Sequence, residues 1–278
     1  MRTGAFFLNS MEQLARRRLV SAALVIGGLF LAFFALLCHL MASNAGNGLS
    51  SPDAALGALF LTLPSAAYLC AAFQFILGSS LLPGEISAGR AGFWAALPVS
   101  RLSVFAGFSL SCLACASGVS ALLFGGIEAV TGAFFRNSPT DLPLAILAFM
   151  AWSCVLWAVV TLLSMSMNRI VAIIICFCGY GLMNFIGGLA QIAGAMPQGG
   201  PGPAFRIAGL VSGLIFPSDP PFRAMMYGLM PAGSSMEQFL AFTGAAVRPP
   251  VLLTLYSLAW SAAVIWLAWR RFSRQDLK

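Results

Sequence analysis

Long, nearly uninterrupted apolar runs divide this chain into segments separated by short polar connections. About 20 consecutive apolar residues are enough for a helix to cross a bilayer, and six runs reach or approach that length. The pattern therefore predicts an all-α integral membrane protein with six transmembrane helices in a single domain over residues 1–278. We place the predicted spans near Leu19–Met41, Ala55–Leu82, Leu102–Phe135, Leu142–Met165, Ile170–Ala195 and Val251–Trp269.

The composition excludes an ordinary soluble domain. Hydrophobic residues make up 60% of the 278 residues and charged residues only 8%, whereas about a quarter of a typical soluble domain is charged. The net charge of +7 does not predict nucleic-acid binding, because the basic residues flank the apolar runs instead of forming a stripe with aromatic residues. Basic flanks are the usual orientation signal of membrane helices.

The distribution of arginine and lysine predicts that both termini are cytoplasmic. With the N-terminus inside, eleven basic residues lie in inner segments and four in outer segments, which follows the positive-inside rule. The inner residues are Arg2, Arg16, Arg17, Arg18, Arg90, Arg101, Arg169, Arg270, Arg271, Arg274 and Lys278. The outer residues are Arg136, Arg206, Arg223 and Arg248.

Residues 1–18 predict a short amphipathic helix at the inner membrane interface. We expect it to run from Ser10 to Arg18, with Glu12, Arg16 and Arg17 on its polar side. Ser10 would begin the helix by capping it. The alternative is that these residues simply extend the first span into the cytoplasm.

The longest connection, residues 196–250, predicts two short helices on the outer side. Pro217, Asp219 and Arg223 lie in the turn region between them, and Asp219 followed by Pro220 is typical of a helix N-cap. Each helical piece is short for a span. We expect a re-entrant or outer-surface cap, and two further full spans are the alternative.

The sequence contains no motif for a covalent reaction. A zinc-protease His pair, a phosphate-binding loop with lysine and a serine-hydrolase elbow are all missing, and His39 is the only histidine. We therefore expect no metal site and no catalytic residues. Polar residues inside membrane spans are candidates for a transport pathway, and here these are His39, Gln74, Glu128, Asn184 and Gln191.

The connection at residues 83–101 carries the most informative pattern. An acidic residue is followed by glycine, then by a short apolar stretch that ends in Pro-apolar-any-Arg, with a further glycine six residues later. Glu85, Gly89, Pro98, Val99, Arg101 and Gly107 occupy these positions. The pattern resembles the loop between the first two helical hairpins of type II ABC exporter permeases. The chain has Arg90 where the family usually has threonine, and Phe108 where it usually has lysine.

This resemblance implies that the connection forms a cytoplasmic coupling helix that docks in a cleft of a separate ATPase subunit. Phe93, Trp94 and Leu97 would form its apolar face, with Glu85 and Arg90 beside it. An exposed apolar face of this kind normally needs a partner, although an interfacial linker with Trp94 among lipid headgroups is the alternative. The residues expected to dock are Glu85, Gly89, Arg90, Phe93, Trp94, Leu97, Pro98 and Arg101.

The resemblance further implies a second permease copy, either identical or different, and no cofactor in this chain. It also implies a location in the plasma (inner) membrane of a bacterium. ATP and Mg would bind in the partner ATPase. The outer segment Pro217-x-Asp219-x-x-x-Arg223 is similar to one in some of these permeases, including those of nitrous-oxide-reductase maturation transporters. Two other functions remain open from the residues alone: an intramembrane enzyme, and a membrane anchor or assembly factor that transports nothing.

Overall fold

Long helices account for almost all of the structure. The computed structural model describes residues 3–16, 18–44, 51–80, 100–136, 138–195, 202–231 and 251–274. Within these ranges the helices are α1 Thr3–Ala15, α2 Arg18–Asn44, α3 Ser51–Gly78, α4 Arg101–Phe135, α5 Leu142–Ser164, α6 Arg169–Ala195, α7 Gly202–Ile215, α8 Asp219–Leu229 and α9 Val251–Arg274. The only extended pairing in the described ranges is an isolated bridge between Pro139 and Pro231.

Six of these helices, α2 to α6 and α9, are long and apolar enough to cross a membrane. They match the six predicted spans to within a few residues at most ends, which indicates a multi-pass membrane protein. Large apolar side chains such as Leu29, Phe33 and Leu252 are more than half exposed on α2 and α9. Such surfaces suit contact with lipid, which solvates apolar groups at no cost.

The helix ends have clear local causes. The Ser100 hydroxyl accepts a hydrogen bond from the Ser103 backbone N–H at the start of α4, and Asp141 caps α5 in the same way through Leu144. The α4 helix ends at Arg136, whose φ of 50° places it in the left-handed region. A left-handed residue after the last turn is a common helix stop.

The bundle has two ends that we name by their contents. The terminal face contains the start of α4, the α5–α6 turn and the end of α9, with α1 packed on α4. The hairpin face contains the end of α4, the start of α5 and the α7–α8 hairpin. Between them lies an apolar core centred on α3 and α5, in which Trp152 and Phe75 are fully buried and Tyr180 is nearly so.

The N-terminal helix differs from the prediction. It spans Thr3–Ala15 rather than starting at Ser10, so Ser10 is an interior residue of the helix and does not cap it. The Leu14 side chain is fully buried against the cluster around Phe105 and Phe108 of α4. The part of the helix before Ser10 also contacts α4, where the Ser111 hydroxyl donates a hydrogen bond to the Phe7 carbonyl. Glu12 and Arg16 form an exposed ion pair one turn apart, and Arg17 lies outside the described residues.

Candidate binding chamber on the hairpin face

A cavity of about 250 Å³ lies between α3, α6 and α8. One of its lining residues, Pro64, lies inside α3 and cannot donate a backbone hydrogen bond to the preceding turn. We call this cavity the chamber. It is lined by Phe60, Pro64, Ala67, Tyr68, Tyr180, Asn184, Gly188, Asp219, Phe222, Arg223 and Met226.

The charged groups of the chamber are Asp219 and Arg223, which form an ion pair one helical turn apart on α8. Their side chains are only 20% and 23% exposed. Burial raises the pKa of the Asp219 carboxyl above its ordinary value, and the charge of Arg223 opposes this shift without cancelling it. The direct contact between the two groups places an acidic and a basic side chain next to each other in the chamber, and the charges of the ion pair cancel.

The sequence predicts that Asp219 caps α8, and the structure shows that it does not. Ser218 occupies the N-cap position, with no hydrogen bond from its side chain to the helix, and Asp219 is the first helical residue. The reason is local: Pro220 and Pro221 have no N–H to offer, and the Phe222 N–H bonds to the Ser218 carbonyl. The carboxylate instead pairs with Arg223.

Gly187 of α6 creates the space in which the ion pair sits. A Cβ atom at this position would lie 3.1 Å from Oδ2 of Asp219 and 3.2 Å from Nη2 of Arg223. These distances are tighter than ordinary van der Waals contact, so a side chain here would push the pair away from α6. The glycine thus allows the charged groups to rest against the backbone of a membrane-spanning helix.

Aromatic rings form much of the remaining wall. Tyr68 and Tyr180 meet edge to face at 5.4 Å between ring centroids, and Phe222 packs on the buried Trp152 at 6.4 Å. Asn184 adds a neutral polar group, and its amide nitrogen donates a 2.9 Å hydrogen bond to the Tyr180 carbonyl. The chamber thus combines aromatic surface, an amide and an ion pair.

Two sets of contacts fix α8 in place. On one side, the Thr140 and Asp141 N–H groups each donate a 3.0 Å hydrogen bond to a carbonyl at the end of α8, those of Met230 and Gly228. On the other side, the Ser257 hydroxyl of α9 donates to the Pro217 carbonyl at 3.0 Å. The hairpin is therefore part of the packed bundle, and its contacts with α5 were not expected from the sequence.

The other helix of the hairpin, α7, packs mainly on α6. A Cβ at Gly209 would come within 2.3 Å of the Ala190 Cβ, so the two helices meet through small residues, as helices in membranes commonly do. The Tyr256 hydroxyl of α9 also donates a 2.9 Å hydrogen bond to the Leu214 carbonyl.

Of the predicted pathway residues whose side chains the structure describes, only Asn184 lines the chamber. Gln74 is fully buried between α3 and α5, where its amide nitrogen donates a 2.9 Å hydrogen bond to the Ser153 hydroxyl. Among the described residues, its Oε1 and the Oε1 of Glu128 are buried polar atoms without a hydrogen-bond partner. His39 is exposed on α2, and its ring centroid lies 6.0 Å from that of Phe134. The Gln191 side chain lies outside the described part of the chain.

The terminal face carries the second candidate site. The coupling loop from Glu85 to Pro98, with Gly89, Arg90, Phe93, Trp94 and Leu97, falls outside the described residues, but the helices that begin and end it are described. Arg169 of α6 donates to the Ser79 hydroxyl and the Ile76 carbonyl at the end of α3, both at 3.3 Å. Arg101 of α4 donates a 2.9 Å hydrogen bond to the Ser273 carbonyl of α9.

An apolar platform supports the α4 end of this loop. Phe105 of α4 packs on Trp269 and Phe272 of α9, with ring centroids 5.5 and 5.7 Å apart. Helix α1 crosses α4 nearby, where the Ser111 hydroxyl bonds to the carbonyls of Gly107 and Phe7. Gly107, the last residue of the loop pattern, is buried at this crossing.

Sequence reasoning found Asp219, Arg223 and Asn184 but missed the rest of the chamber. Tyr68 and Tyr180 lie in apolar runs, and Phe222 lies in the proline-rich turn region. None of the three carries a signal of its own. The adjacent Gly187 and Gly188 in a membrane span were the available signal for a close approach to α6. No protein-family model matches this chain, and no curated protein matches it.

Proposed function

We propose that the chain is the membrane-spanning permease subunit of an ABC exporter, coupled to a separate ATPase that binds ATP and Mg. The observation that carries this proposal is the anchoring of both ends of the 83–101 loop. A docking loop transmits movement only if the helices on either side are held by the bundle. Arg169 ties the preceding helix to α6, and Arg101 ties the following helix to α9.

The charge distribution supports a cytoplasmic terminal face. Among the described residues, the arginines of this face are Arg16, Arg18, Arg101, Arg169, Arg270, Arg271 and Arg274. The hairpin face carries Arg136, Arg206 and Arg223, and Arg223 pairs with Asp219. This bias follows the positive-inside rule, so the hairpin and its chamber would lie at the outer side.

In this proposal the chain supplies the pathway and the ATPase supplies the energy. Two copies pair in the membrane, and two ATPase subunits bind beneath them at the 83–101 loops. Closure of the ATPases on ATP pushes each loop, and the arginine anchors pass the movement to α4, α6 and α9. The chamber forms part of the outer portion of the pathway, under the α7–α8 cap.

The docking experiment uses the full chain purified with the ATPase encoded by a neighbouring reading frame. We expect a stable complex in which the permease stimulates ATP hydrolysis. Glu85→Arg and Trp94→Ala should weaken the complex, since truncating an aromatic interface anchor typically costs about 2 kcal/mol or more. Arg136→Gln removes a charge from the opposite face and should leave docking unchanged.

The outcome separates the three functions. Normal binding and stimulation by both loop variants would contradict the assignment of the docking loop. Failure of any ATPase to bind would favour an anchor or assembly factor. Hydrolytic activity of the purified chain by itself would favour an intramembrane enzyme.

A further inference from the structure

The chamber presents opposite charges side by side. Asp219 and Arg223 pair with each other on α8, and both line the same cavity with about a fifth of each side chain exposed. Any ligand that enters therefore meets an anion and a cation within one helical turn. This arrangement restricts the ligand by charge, because the pair is neutral as a unit.

A ligand with a single charge is a poor fit to such a pair. An anion that bound Arg223 would separate it from Asp219 and leave a partly buried carboxylate without its partner. A cation at Asp219 would likewise draw the carboxylate away from Arg223 and disrupt the pair. Removing one partner of a buried ion pair is strongly unfavourable, whereas a ligand with both charges replaces one internal pair by two pairs with the ligand.

The walls match the two ends of such a ligand. Arg223 has the planar guanidinium group that binds phosphate or carboxylate oxygens in pairs. Tyr68, Tyr180, Phe60 and Phe222 line the same cavity, and aromatic faces attract ammonium groups. The amide of Asn184 provides a further hydrogen-bonding group beside them.

The size of the chamber selects a small ligand. Its volume of about 250 Å³ lies below the range of roughly 300–1,000 Å³ that is usual for drug-sized ligands. A phosphodiester with a short amine arm is of suitable size, and so is a free amino-acid-like zwitterion. Chemistry alone does not separate these sources, because each carries an anionic and a cationic group on a short linker.

We propose that the chamber binds a small zwitterion, with its anionic group on Arg223 and its cationic group on Asp219 between the aromatic walls. The ligand is either a free solute or the headgroup of a zwitterionic phospholipid. This inference goes beyond the transport proposal, because the chamber would bind its ligand whether or not the chain moves it across the membrane.

Binding is measured on the full chain in detergent by titration calorimetry with three matched probes. Glycerophosphoethanolamine carries both charges, glycerophosphoglycerol keeps the phosphodiester without the amine, and ethanolamine carries the amine alone. A solute site should saturate with glycerophosphoethanolamine, and both single-charge probes should bind at least about tenfold more weakly. A headgroup site should instead retain phosphatidylethanolamine over phosphatidylglycerol in native mass spectrometry after extraction from mixed vesicles.

Variants locate the ligand in the chamber. Arg223→Gln and Asp219→Asn should each abolish the preference for the zwitterion, whereas Arg223→Lys keeps the cation and should retain it within about tenfold. Arg136→Gln, an exposed charge of the same face outside the chamber, should bind like the unaltered chain. Thermal melting of each variant separates a lost ligand from a lost fold.

Three results would overturn the proposal. The first is equal binding of a single-charge probe, and the second is an unchanged zwitterion preference in folded Arg223→Gln and Asp219→Asn. The third is the absence of both soluble binding and phosphatidylethanolamine retention. Because none of these measurements involves an ATPase, they test the chamber separately from the transport function.

Discussion

The Arg101 guanidinium donates a 2.9 Å hydrogen bond to the backbone carbonyl of Ser273, a residue 172 positions later in the chain. This bond joins the first turn of α4 to the last turn of α9. Cationic side chains near a helix C-terminus also interact favourably with its carbonyl groups. The bond thus connects the end of the 83–101 loop to a helix that runs to the hairpin face.

Removing this anchor should loosen both helix ends. We expect Arg101→Ala to accelerate hydrogen exchange of backbone amides at the start of α4 and the end of α9, with a small effect on overall stability because the bond is exposed. Ser273→Ala is the matched control: the Ser273 hydroxyl donates to the Arg270 carbonyl, so the variant keeps the carbonyl that Arg101 uses. Equal exchange in the two variants would show that the bond does not hold these ends together.

Gly187 provides a second test, in the chamber. Replacing glycine by alanine within a helix is worth up to about 1 kcal/mol of helix propensity. Gly187→Ala should not be stabilised by this amount, since its Cβ would press on the Asp219–Arg223 pair. A Cβ at Gly179, on the same helix, would have no atom within 4 Å, so Gly179→Ala should show the stabilisation. Thermal melting that ranks Gly187→Ala at or above Gly179→Ala would contradict the close contact.

Gly228 tests how firmly α8 is fixed to α5. A Cβ at this position would lie 2.6 Å from the Asp141 carbonyl oxygen and 2.9 Å from the backbone nitrogen of Ala145. Backbone atoms cannot move aside, so Gly228→Ala should cost about 1–3 kcal/mol and make the hairpin more susceptible to proteolysis. Gly213→Ala on α7 meets nothing within 4 Å and should be cut no faster than the unaltered protein.

The Asp219 carboxyl predicts a pH dependence of stability. Its pKa is raised by burial above the ordinary value of 3.8, so the folded chain holds this proton more tightly than the unfolded chain does. The resulting stability is fully present below pH 3.8 and is lost as pH rises through the folded pKa. As pH rises from 3.8 through the folded pKa, the melting temperature of the unaltered protein should therefore fall relative to that of Asp219→Asn. A constant difference between the two proteins would contradict it.

The spans could be predicted because lipid demands a minimum apolar length. Helix ends were less predictable, since hydropathy reports where lipid ends and not where hydrogen bonding ends. Helix α9 illustrates this: the apolar run stops near Trp269, but the helix continues to Arg274. Likewise, α3 starts at Ser51, before the apolar run, because Pro52 and Asp53 suit a first helical turn.

The chamber was only partly predictable for a related reason. In a soluble helix the apolar face marks the core, but in a membrane helix both the lipid-facing and the core-facing sides are apolar. Nothing in the sequence therefore distinguishes Tyr180, which is buried, from Phe177, which is exposed. Asp219 and Arg223 were found because they lie in the turn region between two predicted short helices, where Asp219 followed by Pro220 is typical of a helix N-cap.

The two helices of the α7–α8 hairpin pack on different neighbours. Helix α7 rests mainly on α6, and α8 rests mainly on α5. If α5 and α6 shift relative to each other, the residues that must absorb the change are those between the two helices, Phe216 to Ser218. This three-residue stretch would then serve as a hinge. Its middle residue, Pro217, is held by α9 through the hydrogen bond from the Ser257 hydroxyl to the Pro217 carbonyl. Rotation about Pro217 would carry the Asp219–Arg223 pair toward or away from α6. The chamber would therefore widen or narrow whenever α5 and α6 move relative to each other.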